Sequence, residues 1–470
     1  MRLSNAELKK SILMIFLFLL CFFQMGILWS EKNPGVLFSF SHNARGNDFV
    51  DIDEVKENYY RPKAILISSG KGDLYWKLDS KSNLYRSIWN DFKDSYLSQI
   101  IQSKPSILDK DYEQSWEYLS RMKSIIVEFE YQIPSGVIYW MENLDTASLS
   151  AVSNIYKIAI HPSEDINNDK NTLYVYDGSN VYKYVVTIKQ GNMKKEDYIK
   201  AIETAVENES VVPMNRLITY NPITDRQDLL VCLSDEERKI WDLLLTTPDK
   251  IVLKKDNIDA VQDYLLDEYK GSMVSKWSED GTNIIFSDPD KVYRYYNNGL
   301  LEYQYRNKEN VEKGRVEEAL EEALTFIEYR RRDLIEGAEI ILSDISDKGR
   351  YYAFTFDYVV DDMKVKVLRT RTGTVEPAIV INAVKDRVLD AKWYVKTFAN
   401  NDYSNIYNLS FFRFYERQFI REYPELRNQR VISDVSNEYL FSDIGTRAEP
   451  FWLIETNMNK LIFIGMQGEE

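Results

Sequence analysis

An uncharged hydrophobic segment near the N-terminus constrains this chain more than any other feature. Residues 12–29 read ILMIFLFLLCFFQMGILW and contain no charged side chain. A helix of this length rises by about 1.5 Å per residue and spans roughly 27 Å, close to the hydrocarbon thickness of a bilayer. We therefore predict that residues 12–29 form a transmembrane anchor. Representative anchor positions are Ile12, Phe16, Leu20, Phe23 and the interfacial Trp29.

The charges that flank this segment predict its orientation. Arg2, Lys9 and Lys10 precede it, and the first residues after it include an acidic one, Glu31. Because positive charge is retained on the cytoplasmic side, we expect residues 1–11 to be a cytoplasmic tail and everything after the anchor to be extracellular. The predicted localisation is the cell membrane, with a single pass.

The sequence favours retention of the anchor over its removal. The residues around Trp29 offer no pattern of small side chains for signal-peptide cleavage. A lipoprotein would need a small residue before the modified cysteine, but Leu20 precedes Cys21. We therefore predict an uncleaved anchor rather than a secreted, soluble protein.

Gln24 and Gly26 interrupt the bulky apolar residues of the anchor. A buried amide in lipid seeks a hydrogen-bonding partner, and glycine allows a second helix to approach closely. One interpretation is therefore a helix–helix contact with another membrane protein. The alternative is a glutamine that is tolerated near the membrane interface, and the sequence leaves both open.

Composition excludes several classes of function. The formal net charge is −15, which repels phosphate backbones, so we predict no nucleic-acid partner. Only two histidines and two cysteines are present, too few for a zinc site built from these residues. Cys21 lies in the predicted anchor, far from Cys232, so we expect no disulfide between them.

The sequence contains no complete motif for catalysis or metal binding. The stretch from Asp165 to Asp169 resembles the start of a calcium loop, but Lys170 replaces its glycine and Tyr176 its bidentate glutamate. The sequence SGKG (69–72) lacks the spacing of a phosphate-binding loop and predicts a hairpin turn. We therefore expect no catalytic residue, no metal site and no cofactor, and a protein that is not an enzyme.

The remaining sequence predicts an α+β fold. Alternating aromatic and β-branched runs are typical of strands, as in IIVEFEY (125–131). Hairpin turns are predicted at Asp177-Gly178, at Asn297-Asn298-Gly299 and at Asp361-Asp362. Helices are expected over 88–101, 112–122, 195–207, 257–269 and 315–332. Two of them show an apolar stripe, formed in the first by Ile88, Phe92, Tyr96 and Ile100 and in the last by Val316, Ala319, Leu320, Ala323, Leu324 and Ile327. We predict about three extracellular domains of antiparallel sheet with packed helices. Their predicted bounds are a stalk over 30–58 and domains over 59–212, 213–311 and 312–470.

The second and third predicted domains share one order of elements. Each contains a helix, a strand, a turn, a strand and then a strand that begins with glycine, Gly299 in one and Gly373 in the other. We interpret this similarity as a diverged duplication of a small unit of helix on sheet.

The sequence resembles the YycH (WalH) family of regulators from low-GC Gram-positive bacteria. The resemblance rests on the single anchor, the strand start at Arg61-Pro62, VEFEYQIPSG (127–136) and VYRYYNNGLLEYQY (292–305). The unit from 315 onward is similar to the domain type that YycH shares with its companion YycI. The similarity is firmest over 60–310 and weaker after about residue 400.

The resemblance implies a function. YycH and YycI act together on the sensor histidine kinase of the WalK/WalR (YycG/YycF) two-component system, which controls cell-wall metabolism. Contacts between transmembrane helices and between extracellular domains are implied. The family includes members that restrain the kinase and members that promote it. The high aromatic content supports an alternative, a membrane-tethered carbohydrate-binding protein or hydrolase of the cell wall.

The helix-contact hypothesis generates a test. Replacing Gln24 and Gly26 together by leucine should weaken control of the kinase and leave the extracellular part folded, because only the polar and close-packed face of the anchor changes. Kinase-dependent reporter output would be measured in intact cells, alongside circular dichroism of the purified variant. Unchanged output would show that this helix face makes no regulatory contact.

Overall fold

The computed structural model describes residues 51–465 with internal gaps. These gaps are 109–110, 145–151, 164–169, 188–192, 208–210, 218–223, 225, 227, 233–236, 267–272, 309–310, 409–410, 412–431 and 457–460. The predicted anchor, including Gln24 and Gly26, lies outside the described residues and stays a prediction. Within the described part, no helix is long and apolar enough to cross a membrane.

The first part of the chain forms one sheet of nine described strands. Each strand is antiparallel to its neighbours, in the order β3-β7-β6-β5-β4-β1-β2-β8-β9. The strands are β1 Ala64–Ser69, β2 Leu74–Leu78, β3 Ser106–Ile107, β4 Lys123–Pro134, β5 Asn154–Pro162, β6 Lys170–Tyr176, β7 Val181–Thr187, β8 Val211–Arg216 and β9 Leu230–Cys232.

Two glycine-containing turns in this sheet confirm the sequence predictions. Gly70 and Gly72 both have positive φ, 77° and 84°, in the connection between β1 and β2. Gly178 has φ 98° in the connection between β6 and β7. Glycine adopts such angles without a Cβ clash, so these turns follow from the local sequence.

Most of the described helices are short. They are α1 Ile52–Val55, α2 Asn83–Asp91, α3 Ser98–Gln102, α4 Trp116–Leu119, α5 Ser135–Met141, α6 Lys195–Glu203, α7 Ile258–Leu265 and α8 Val316–Leu334. A π-helical stretch over Phe92–Leu97 joins α2 to α3. The predicted apolar stripe of this region is fully buried and comprises Ile88, Phe92, Tyr96 and Ile100.

The helix predicted over 112–122 is wrong in extent. Only the single turn α4 and a preceding 3-10 turn over Tyr112–Gln114 form there. The Ser115 hydroxyl accepts a hydrogen bond from the amide of Tyr118 and starts α4, while β4 already begins at Lys123. The chain between these two residues has room for one helical turn.

The second part of the chain forms a sheet of fifteen described strands. Its main path is β11-β12-β13-β14-β20-β19-β16-β17-β22-β23-β10-β21, with β15, β18 and β24 paired to β16, β17 and β23. The strands up to β17 are β10 Glu237–Thr246, β11 Val274–Trp277, β12 Asn283–Ser287, β13 Lys291–Tyr296, β14 Leu300–Tyr305, β15 Glu339–Asp347, β16 Tyr352–Val360 and β17 Met363–Arg369. The remaining strands are β18 Thr374–Pro377, β19 Ile379–Val384, β20 Arg387–Tyr394, β21 Thr397–Asn408, β22 Ile432–Ser442, β23 Arg447–Thr456 and β24 Leu461–Gly465. All described pairings between these strands are antiparallel except β17 with β22, and an isolated parallel bridge joins Thr224 to Ile432.

These sheets confirm the α+β class and show how the predicted domains share strands. The first sheet continues past residue 212 to β9, which ends at Cys232. Strand β14 of the predicted middle domain pairs with β20 of the predicted third domain, with Leu301 opposite Trp393. The hairpins expected at Gly299 and at Asp361-Asp362 are present. The duplication and the domain bounds stay predictions.

Helix α8 is the longest described helix and packs on β19 and β20. Its first turn is capped, because the amide of Arg315 donates to the Glu318 carboxylate at 2.8 Å. The predicted apolar stripe is buried at Ala319, Leu320, Ala323, Leu324 and Ile327. Burial of this stripe explains why the helix is stable although its outer face is highly charged.

The buried stripe predicts a stability difference between two faces of α8. Leu324→Ala should lower the free energy of unfolding by about 2–5 kcal/mol, because it leaves a cavity in the core. Glu321→Ala, on the exposed face, should change it by no more than about 0.5 kcal/mol. Urea unfolding of both variants measures the difference, and equal effects would contradict the described packing of α8.

Candidate functional site

A cavity of about 560 Å³ lies where the two sheets meet. One wall comes from β1, β2, β4 and the segment that leads into β9, and the other from β10, the β16–β17 turn, β22 and β23. Charged residues of both signs line it together with apolar ones. Those used below are Lys63, Lys77, Glu128, Glu130, Arg226, Asp228, Leu230, Trp241, Met363, Lys364, Asp434, Glu438 and Trp452.

An ion pair between Glu130 and Lys364 joins the two sheets across this cavity. Glu130 lies on β4 of the first sheet and Lys364 on β17 of the second, with 2.7 Å between the carboxylate and the amine. Burial alone would raise the pKa of Glu130, but the charges of Lys63 and Lys364 outweigh it and lower the pKa to about 2. Glu130 is therefore ionised at any physiological pH.

Lys63 extends this pairing along the first sheet. Its amine lies 3.9 Å from Glu130 and 3.6 Å from Asp434. Burial would lower the pKa of Lys63, but these two carboxylates raise it well above the usual range. The lysine therefore stays charged, and it links both sheets.

A second set of ion pairs continues from Asp434. Arg226 lies 3.8 Å from Asp434 and 3.4 Å from Asp228, and Asp228 accepts from the Lys157 amine at 2.6 Å. Lys157 also lies 3.3 Å from Glu128, and Lys364 lies 3.7 Å from Glu438. We define the charge network as Lys63, Glu128, Glu130, Lys157, Arg226, Asp228, Lys364, Asp434 and Glu438. It contains five carboxylates and four cations.

Asp434 is held loosely within the charge network. Its two oxygens lie 3.6 Å from Lys63 and 3.8 Å from Arg226, beyond hydrogen-bonding distance. Its Oδ1 is buried and accepts no hydrogen bond from any described residue, while the side chain is 28% exposed and lines the cavity. This carboxylate therefore retains unused capacity to accept hydrogen bonds.

Lys77, on β2, is a cation of the cavity wall. Within the described ranges, no residue forms a hydrogen bond or an ion pair with its amine. Burial lowers the pKa of Lys77, the positive charge of Lys63 lowers it further, and Asp362 and Glu128 only partly offset both. A negative group placed in the cavity would stabilise its charged form.

The turn between β16 and β17 also contacts the first sheet. The carboxylate of Asp362 accepts from the Ser80 hydroxyl at 2.5 Å, and Asp361 accepts from the Lys81 amine at 2.7 Å. Arg61 lies 3.6 Å from Asp362. The predicted hairpin turn is confirmed, and its two aspartates have the additional role of fastening the sheets at the edge of the cavity.

A separate buried contact joins the two parts of the chain away from the cavity. The Tyr59 hydroxyl donates to Glu328 of α8 at 2.6 Å, and Arg331 pairs with the same carboxylate at 3.1 Å. The ring of Tyr59 packs edge-on against Phe356. The two sheets are therefore held together at more than one place.

Several residues considered from the sequence lie outside the described ones. They are the stretch from Asp165 to Asp169, Cys21 and one of the two histidines, His42. His161 packs edge-on against Tyr174, and burial lowers its pKa to about 4. Across the described ranges, no group of three or more His, Cys, Asp or Glu side chains could hold a metal ion.

Sequence reasoning missed the charge network, although a signal for it exists. In β4, Glu128 and Glu130 alternate with the buried Val127 and Phe129. In β17, Lys364 and Lys366 alternate with buried valines in the same way. Charges at every second position of an apolar strand share one face, and opposite signs on two strands indicate that these faces could meet.

The lowered pKa of Glu130 predicts a pH dependence of stability. The folded pKa lies below the ordinary value of 4.5, so the stabilisation is complete above the ordinary value and is lost as pH falls from about 5 to about 2. Over this pH range the free energy of unfolding of the wild type should therefore fall by about a few kcal/mol more than that of Glu130→Gln. Urea unfolding at several pH values measures it. Glu203→Gln, in an exposed ion pair with Lys123, is the control variant, and its dependence of stability on pH should match that of the wild type.

A solved structure superposes on most of this chain. Neither a family model nor a curated protein sequence matches this chain. The crystal structure of YycH from Bacillus subtilis superposes with a TM-score of 0.56 at 12% identity, covering 87% of this chain and 96% of that one. An uncharacterised protein from Eubacterium rectale gives a TM-score of 0.31 at 13% identity, over 53% of this chain and 91% of that one. The chain therefore has a YycH-like fold.

Proposed function

We propose that this protein is a membrane-anchored, non-enzymatic regulator of a WalK-type sensor histidine kinase that controls cell-wall metabolism. It would act together with a YycI-like protein. The observation that supports the proposal is the YycH-like fold, which extends over 87% of the chain. The sequence resemblance at Arg61-Pro62, 127–136 and 292–305 supports the same proposal, because it includes strands of both sheets.

A tether makes such regulation physically efficient. Confinement of two proteins to one membrane raises their effective concentration, so contacts that are weak individually are sufficient. The kinase must have two states that the regulator binds unequally, because a ligand with equal affinity for both states shifts nothing. The anchor over 12–29 would supply the tether, and the two sheets would supply the extracellular contact surface.

The alternative of a carbohydrate-binding protein or hydrolase fits the structure less well. Among tyrosines with described side chains, only Tyr118 is an exposed one, at 37%, so the aromatic residues serve mainly the sheet faces and the core. A glycosidase needs a carboxylic acid with a raised pKa. In the cavity, neighbouring cations outweigh burial and lower the pKa of both Glu130 and Asp228.

The proposal is tested by detergent co-purification from membranes. Full-length protein should retain both the sensor kinase and the YycI-like protein. Deletion of residues 1–29 should reduce retention of the kinase at least about tenfold, because the gain from confinement is lost. An unrelated single-pass protein of similar expression serves as the control. If the intact protein retained neither partner, the proposal would be wrong.

A further inference from the structure

We propose that the cavity between the two sheets binds a short zwitterionic peptide, with its amino group on Asp434 and its carboxylate on Lys77. The inference rests on the cavity alone and is independent of the kinase proposal.

The cavity has the dimensions and lining of a small-molecule site. Its volume of about 560 Å³ falls within the usual range for ligand pockets, roughly 300–1,000 Å³. Leu230, Trp241, Met363 and Trp452 supply apolar surface between the charged residues. A peptide offers both kinds of group, since apolar side chains lie between two charged ends.

Asp434 fits an amino group. Neither of its oxygens accepts a hydrogen bond from a described residue, and its two cationic neighbours lie 3.6 Å and 3.8 Å away. A protonated amine brings three N–H donors to a carboxylate that lacks them.

Lys77 fits a carboxylate. Its amine has no hydrogen bond or ion pair within the described part of the chain, although it lines the cavity. Lys63 links the two proposed subsites, because it lies 3.6 Å from Asp434 and is close enough to Lys77 to lower its pKa. Both subsites therefore belong to one continuous charged surface.

Occupation of both subsites would connect the two sheets. Lys77 lies on β2 of the first sheet and Asp434 on β22 of the second. A ligand that bridges them binds only when the sheets are in the described arrangement, so it stabilises that arrangement by mass action.

Calorimetric titration of the full-length protein in detergent with trialanine tests the proposal. We expect binding of free trialanine, and a loss of affinity of at least about tenfold when the amino end is acetylated or the carboxyl end amidated, because each change removes one charge. Asp434→Asn should lower affinity for the free peptide by a similar factor, and in this variant acetylation should not lower the affinity further. Lys77→Met should also lower affinity for the free peptide, and in that variant amidation should not lower it further.

Matched controls separate this pattern from general effects of charge. Lys71→Met in the exposed β1–β2 turn and Glu203→Gln on the surface should leave all affinities unchanged. If Asp434→Asn does not fold, Lys77→Met decides the matter, because this lysine has no ion pair with a described residue to lose. Absence of trialanine binding at millimolar concentration would overturn the proposal. So would an amidation penalty that persists unchanged in Lys77→Met.

Discussion

The ion pair between Glu130 and Lys364 is the interaction on which the arrangement of the two sheets depends. Each residue lies next to a buried one on its strand, Phe129 before Glu130 and Val365 after Lys364, so each charge needs a partner of opposite sign. Attraction within a buried pair is largely offset by the cost of removing both groups from water. We therefore interpret the pair as an interaction that selects one docking of the sheets. Any other docking would leave Glu130 only its longer contact with Lys63, at 3.9 Å, and Lys364 only its longer contact with Glu438, at 3.7 Å.

The cavity follows from the same constraint. Apolar side chains interdigitate to fill space, but charged groups must meet at particular distances and angles. At Glu130 and Lys364 this condition is met, whereas at Asp434 the nearest cations lie too far away to donate. The junction is therefore partly closed by ion pairs and partly open, and the open part carries polar atoms with unused bonding capacity.

Local structure followed from the sequence except at the helix expected over 112–122, whereas long-range structure did not follow from it. Pattern and spacing reveal structure that depends on residues close together in the sequence. Examples are the stripe at Ile88 and Phe92, the turn at Gly70 and the capped start of α8. The pairing of β14 with β20 and the parallel pairing of β17 with β22 join residues far apart in the chain. Nothing in the individual strands specifies these partners, so the sequence does not reveal that β22 lies beside β17 in the wall of the cavity.

The position of β10 has a consequence for biogenesis. Strand β10 begins at Glu237, which pairs with Asn408, and its Leu243 is opposite Ala448 of β23. The first sheet uses only strands up to Cys232 and has no such requirement. Sheets with distant partners form slowly, and an unpaired apolar strand is prone to aggregate. During vectorial synthesis β10 must therefore wait for nearly the whole chain to emerge, and the second wall of the cavity is among the last parts of the molecule to mature.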